Sequence, residues 1–245
     1  MSKIHLSDDQ NPLNDFEIPN KFINYFSNVT DQNTSAHNDN DFKKYLHNRQ
    51  MNSFFFSQIR PNEIEDAIIH LKDNGCGLYN FSTDLLINIK NDLSNTLAEI
   101  FNLCIDQGYF PDELKVGCIT PVYKKGEKTD VSNYRPVCSL SPFSKIFERL
   151  IYIRMLSYIE KHDLLSNTQF GFRQNLSTEA ALLKLTDFVH KGLTLKQNVG
   201  TIFMDLSKAF DSMNHDILES KLEHYGFRGN VLKFLMSFVR NRTYL

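Results

Sequence analysis

The chain has 245 residues, 41% of them apolar and 23% charged, with a formal net charge of −2. Those are globular proportions, and the length suffices for one large or two modest domains with a sizeable core. No run reaches the roughly 18 apolar residues that cross a membrane, and the polar start MSKIHLSDDQ lacks a signal peptide's apolar core. Four cysteines (Cys76, Cys104, Cys118, Cys138) show no C-x-x-C spacing, which argues against a zinc site or a disulfide framework. The expectation is an intracellular protein, nuclear or cytoplasmic and not secreted, without a membrane partner. Charge is unevenly spread: residues 1–60 net −1, 61–115 net −7 and 116–245 net +6. A basic second half fits a polyanionic partner, although two ordinary surfaces of opposite sign fit the same count.

Residues 1–52 are rich in Asn and Asp and read as a polar linker, with one helical turn or two at Asn20–Phe26, where Phe22 and Phe26 are four residues apart. Residues 30–40 read as a linker proper. After Pro61, the stripe Ile64, Ala67, Ile68, Leu71 predicts a helix stopped near Gly75 and Gly77. A second helix is expected over about 86–107, with Leu93, Leu97, Ile100 and Cys104 inward and Gly108 as terminator. Val116–Tyr123 and Tyr134–Leu140 read as the arms of a hairpin with a basic tip. Pro142 opens a helix to about Lys161 that is expected to bury Phe143, Ile146, Phe147, Leu150 and Ile153. Ser177 caps another, with Leu182, Leu185 and Val189 inward and Gly192 at its end. A strand over 199–205 and two helices, about 216–225 and 230–241, complete an α+β chain.

Four places carry residue types suited to chemistry. Val199–Met204 is an apolar run that ends in Asp205, the geometry by which a sheet edge presents a carboxylate to a hard divalent cation. The same Asp also suits capping of a following helix. Phe210, five residues on, suits either a wall beside a nucleotide sugar or a core position, and Asp211 suits stabilisation of a helix start. Lys124, Lys125 and Arg135 put cations on facing hairpin arms, where they can bind phosphate or form a solvated turn, the reading preferred for Lys128. Gln169-Phe170-Gly171-Phe172-Arg173 sets two aromatics and a guanidinium around a glycine, suited to stacking on bases or to a helix-entry turn.

The ordered set CxxxGxFPxxxKxGxITPVYKKG, SNYRPVxxLxxxxKIxE, QFGFRxxxST and FMDLSKAFDxxNH resembles the reverse transcriptase domain of non-LTR (LINE-type, jockey-like) retrotransposons, over about residues 53–245. The upstream NKFINYFSN is similar to that family's linker between endonuclease and polymerase. The resemblance implies a right-hand polymerase fold, here fingers and an incomplete palm with no thumb, that copies an RNA template from a DNA primer with deoxynucleoside triphosphates. It implies that Asp205 is the catalytic ligand of Mg2+ (or Mn2+), assisted by the Leu206 carbonyl. It further implies that Phe210 excludes ribonucleotides, that Lys124 or Lys125 with Arg135 clamps the triphosphate, and that Gln169, Gly171, Phe172 and Arg173 lie against the template-primer. The Gln-Gly-Ser segment, the Ala-Asp-Asp hairpin and the thumb are not in these residues, and Asp8-Asp9 in a polar terminus does not replace them. The expectation is therefore a truncated product, with an inactive nucleic-acid-binding or relic protein as the alternative. A maturase-type intron polymerase fits the Asp strand but fits NYRP and SKAFD less well. The oligomeric state is left open.

Overall fold

The computed structural model describes residues 7–8, 11–12, 14, 17–31, 41–46, 49–71, 81–206, 209–210 and 213–245. In chain order the elements are β1 (Ser7–Asp8), β2 (Asn11–Pro12), α1 (Glu17–Asp31), α2 (Pro61–Ile69), α3 (Thr83–Asn88), α4 (Lys90–Gln107), β3 (Val116–Tyr123), β4 (Tyr134–Leu140), α5 (Pro142–Lys161), α6 (Thr178–Thr194), α7 (His215–His224), α8 (Asn230–Val239) and β5 (Thr243–Tyr244). The mixed α+β expectation holds, with little sheet. β1 and β2 make a two-stranded pair, and β4-β3-β5 a three-stranded sheet in which β5 runs parallel to β3. No helix among the described residues is long and apolar enough to cross a membrane. The chain divides into two units, residues 1–155 with 210–245, and residues 156–209.

The first unit is built on phenylalanine. Phe101 of α4 and Phe147 of α5 stack at 4.1 Å between ring centroids, Phe110 and Phe234 close on Phe147 and on each other at 5.2–5.9 Å, and Phe238 meets Phe110 at 4.9 Å. Ile64 and Ile68 of α2 and Ile146 and Leu150 of α5 are buried with them. Each such side chain contributes about 1.5–3 kcal/mol on leaving water, and ring pairs add about 0.5–1.5 kcal/mol.

Chain signals place the ends. Pro61 starts α2, and the Arg60 N–H donates to the Glu63 carboxylate at 2.8 Å. Gly108 ends α4 in the left-handed region (φ 66°), as expected, while the Asn230 side chain donates to the Ile105 and Asp106 carbonyls at 2.9 Å.

The buried faces differ from expectation in detail. On α4 the inward side carries Ser94, Leu97, Ala98, Phe101, Cys104 and Ile105, and Ile100 is exposed. On α5, Ile151 and Arg154 are buried while Ile153 is exposed and Phe143 half-buried. Arg154 replaces an apolar residue because it is fully engaged. Its guanidinium donates to the Ser57, Gln58 and Leu150 carbonyls at 3.0–3.2 Å and to Glu63 at 2.8 Å. Together with Asn102, which bonds both the N–H and the carbonyl of Ile59, and Arg228, which donates to the Gln50 and Met51 carbonyls, it fastens the extended segment 50–60. α2 ends at Ile69, before the expected stop at Gly75 and Gly77, which lie outside the described residues; of the expected linker 30–40, residues 30 and 31 end α1 and 32–40 lie outside the described residues.

In the second unit Ser177 caps α6 as expected, its hydroxyl accepting from the Ala180 N–H. Gly192 is not the terminator. α6 runs through it to Thr194 and turns at Lys196 (φ 56°), and a Cβ on Gly192 would stand 2.3 Å from Val199. The glycine is there for close chain approach. Leu182, expected inward, is exposed, and Leu185 and Val189 are half-buried.

The expected strand over 199–205 is not formed. This segment is irregular, and Ile202, Phe203, Met204 and Leu206 are exposed. A strand exists only through a ladder of backbone bonds with a neighbour, and no described strand pairs here.

Candidate nucleic-acid interface

The hairpin is the most regular of the stretches that carry candidate residues. β3 and β4 pair antiparallel from Gly117↔Leu140 to Tyr123↔Tyr134, and the Lys124 N–H donates to the Asn133 carbonyl at 2.8 Å, carrying the pairing one step further. Directly paired residues share a face, and faces alternate along a strand. Val122↔Arg135 and Thr120↔Val137 therefore occupy one face, and Lys124, two residues after Val122, joins them. Tyr123 and Tyr134 lie on the other.

All of Thr120, Val122, Lys124, Lys125, Arg135 and Val137 are exposed, and no described residue forms an ion pair with Lys124, Lys125 or Arg135. The hairpin thus presents free cations beside apolar surface. The Lys128 ammonium lies 5.6 Å over the Tyr123 ring, so the residue read as a solvated turn lysine is drawn onto an aromatic face.

The turn itself is tightly braced. Gly126 has φ 91°, and a Cβ there would meet the Asn133 side chain at 2.6 Å. Asn133 donates to the Glu127 carbonyl at 2.9 Å, Tyr123 to the Gly126 carbonyl at 2.5 Å, and Tyr134 to the Lys128 carbonyl at 2.8 Å. Asp130 accepts from the Ser132 hydroxyl and N–H, which hold its carboxyl below the usual range. These bonds explain why a Lys-Lys-Gly turn precedes Ser-Asn-Tyr-Arg-Pro: each small or polar residue holds the turn that carries the cations.

The second unit holds the other two stretches. In the turn at 169–173, Phe172 adopts φ 60° and is 83% exposed, and a Cβ on Gly171 would meet nothing within 4 Å. A bulky residue in the left-handed region stores strain, which clusters at functional positions. Gln169 donates to the Gly171 carbonyl, Arg173 to the Ser166 carbonyl at 3.1 Å, and Lys184 sits 5.5 Å over the Phe170 ring. Arg173 also borders a cavity of about 210 Å³ with Ile159, Glu160, Asp163 and Leu165.

Asp205 and Leu206 lie exposed on the irregular segment, and no described residue donates a hydrogen bond to Asp205. The described residues contain no group of three carboxylates, histidines or cysteines able to hold a metal. One exposed carboxylate and a carbonyl are too few oxygens for a resident magnesium or manganese, so these residues do not by themselves fit a metal centre. Phe210, in the first unit, is 73% exposed, which removes the core position as an account of its ring. Asp211 lies outside the described residues.

Sequence reasoning missed Arg154, Arg228 and Lys115. The buried Lys115 pairs with Asp112 at 2.8 Å and lies over the Tyr109 ring. Lys115 and Asp112 line a cavity of about 580 Å³ with Lys233, Arg240 and Glu219. All of these charges are satisfied within the chain, since Arg240 pairs with Asp216 and Glu219 and Lys233 donates to Gln107. The available signal for Arg154 was its place in the stripe Ile146, Phe147, Leu150, Ile151.

Residues 122–244, from the first hairpin arm to the last strand, match the family model "Reverse transcriptase (RNA-dependent DNA polymerase)". The chain is 32% identical over 189 residues to the "Probable RNA-directed DNA polymerase from transposon BS" of Drosophila melanogaster, covering 76% of this chain and 21% of that protein. It is 34% identical over 149 residues to the "RNA-directed DNA polymerase from mobile element jockey" of the same species, covering 60% and 16%. The "Probable RNA-directed DNA polymerase from transposon X-element" is 32% identical over 125 residues, covering 51% and 14%. The chain thus spans between a seventh and about a fifth of the length of these relatives. It belongs to the reverse transcriptase (RNA-dependent DNA polymerase) family.

Proposed function

We propose that this chain is the part of a non-LTR retrotransposon RNA-directed DNA polymerase that receives the nucleotide and the template-primer, acting inside the cell. Residues 53–245 are the fingers and the start of the palm of a right-hand polymerase, and residues 1–52 are an extension. The reaction of the whole enzyme is nucleotidyl transfer: a primer 3′-hydroxyl attacks the α-phosphate of a deoxynucleoside triphosphate opposite an RNA template, and pyrophosphate leaves. The observation that carries the reading is the exposed hairpin face, where Lys124 and Arg135 stand together without ion-pair partners among the described residues.

The roles follow from residue chemistry. Arg135 offers a planar fork and Lys124 or Lys125 a mobile charge to the triphosphate. The exposed Phe210 ring is a steric wall against a 2′-hydroxyl. Gln169, Gly171, Phe172 and Arg173 meet the template-primer, with the exposed Phe172 ring as a stacking face. Asp205 and the Leu206 carbonyl are proposed ligands of Mg2+ (or Mn2+), which supplies phosphate neutralisation when bound. Their partner ligands are not among the described residues.

The test is binding of a labelled RNA–DNA primer-template and of a deoxynucleoside triphosphate by the chain, each across a salt titration. Each phosphate neutralised adds about 0.7–0.9 to the slope of log affinity on log salt. Replacing Lys124, Lys125 and Arg135 together with Ala is expected to lower that slope by about 2. An unchanged slope overturns the phosphate-binding role of the hairpin.

A further inference from the structure

Helix α1 lies outside the matched region 122–244, yet it packs on the hairpin at the end that carries the cations. Phe22 is 5% exposed and meets Val131 and Tyr134, with Ile18, Tyr25 and Phe26 around them. Its ring stands edge-on to Tyr134 at 5.1 Å and stacks with Phe26 at 5.7 Å. Tyr134 in turn packs edge-on to Tyr123 at 5.8 Å. The two tyrosine hydroxyls hold the turn from both arms, at the Lys128 and Gly126 carbonyls.

A two-stranded hairpin is marginally stable in water without a third strand or a covering element. β5 braces only the far end: it pairs with Val116 and Gly117, and Leu245 bonds Gly117 and Ile119. From Pro121 to Pro136 no third strand is present among the described residues. The cover at the cation end is α1. Arg135 follows Tyr134 directly and points to the opposite face, so whatever fixes Tyr134 fixes the base of the Arg135 side chain.

We infer that Phe22 is a positioning residue for phosphate binding: by wedging Tyr134 it holds the Lys124–Arg135 face in one geometry, which makes α1 a working part of the site. This rests on the reading of the hairpin as a phosphate contact. It also redefines residues 17–31, which composition presents as linker, as a brace.

The experiment is a mutant cycle in the full chain, read by salt-dependent binding of a deoxynucleoside triphosphate and of the labelled RNA–DNA primer-template. Phe22→Ala is expected to weaken binding roughly five- to tenfold and to lower the salt slope by about 1. Tyr134→Phe removes the hydroxyl bond to Lys128, keeps the ring that packs on Phe22, and is expected to give a smaller loss of the same kind. In the Lys124, Lys125, Arg135 triple Ala background neither substitution should weaken binding further, because both act through those cations. A merely structural role predicts equal losses in both backgrounds, and that result overturns the inference. If the triple variant flattens the slope while Phe22→Ala and Tyr134→Phe leave it unchanged, the inference fails and the phosphate-binding reading stands. If the triple variant itself leaves the slope unchanged, the phosphate-binding reading fails and takes the inference with it.

Discussion

Replacing Arg154 by Met keeps the length and apolar stem of the side chain and removes its charge and donors. Arg154 is 8% exposed and reaches the Ser57 and Gln58 carbonyls and both Glu63 oxygens. Loss of a donor to each of two part-buried carbonyls costs about 1 kcal/mol apiece. The ion pair adds about 1–2 kcal/mol, discounted because the Glu63 side chain is 34% exposed and water screens it. The total is about 3–4 kcal/mol, or roughly a 10 °C drop in Tm for a chain of this size. Arg154→Lys retains the charge without the fork and falls between.

The pH dependence is a second handle on the same pair. Burial pushes the Glu63 carboxyl up, but the Arg60 N–H and the Arg154 guanidinium outweigh it and leave it below its ordinary 4.5. A carboxyl depressed on folding contributes stability that is present above pH 4.5 and lost as pH falls through its folded value. Urea unfolding at neutral pH and at successively lower pH checks both points. Arg154→Met should shift the midpoint without changing m and should flatten the acid limb. A loss under 1 kcal/mol at neutral pH, or an acid limb equal to that of the parent, refutes the argument.

Gly108→Ala should cost about 2–4 kcal/mol, since φ is 66° and the new Cβ would sit 2.3 Å from Asn230 Oδ1; thermal melts compare it with Gly200→Ala, which meets nothing within 4 Å. Gly192→Ala should loosen the turn from α6 to Val199, seen as faster amide exchange at Gln197, whose N–H bonds the Gly192 carbonyl. Phe210→Val should change stability by no more than about 0.5 kcal/mol, because the ring is exposed, and should narrow the preference for deoxynucleotides over ribonucleotides in a competition assay. A clear fall in Tm with the preference intact would take Phe210 out of the site. Ile202→Asp with Phe203→Asp should reduce concentration-dependent light scattering, since four apolar side chains of 202–206 stand exposed.

What the residues disclose by themselves is what is local. The hairpin was legible because strand alternation brackets a polar turn whose glycine, Gly126, sits at positive φ. Pro61, Ser177 and Gly108 mark helix ends through bonds that span four residues or fewer. Burial was less legible, because its determinants are distant in sequence. Ser94 is buried where it bonds Glu65, and Arg154 where it bonds Ser57 and Gln58, 97 and 96 residues away. The stretch 199–205 shows the limit most plainly: Val, Ile and Phe favour a strand, yet propensity alone makes no ladder and no described strand supplies one. The cations were legible as residue types, whereas the fact that Lys124 and Arg135 share a face needed the register Val122↔Arg135. The packing of Phe22 on Tyr134 lay furthest from view, since it joins a helix in a stretch read as linker to a turn more than a hundred residues on. A short motif therefore names residue types suited to phosphate, whereas the packing around them is set by residues far away in the chain.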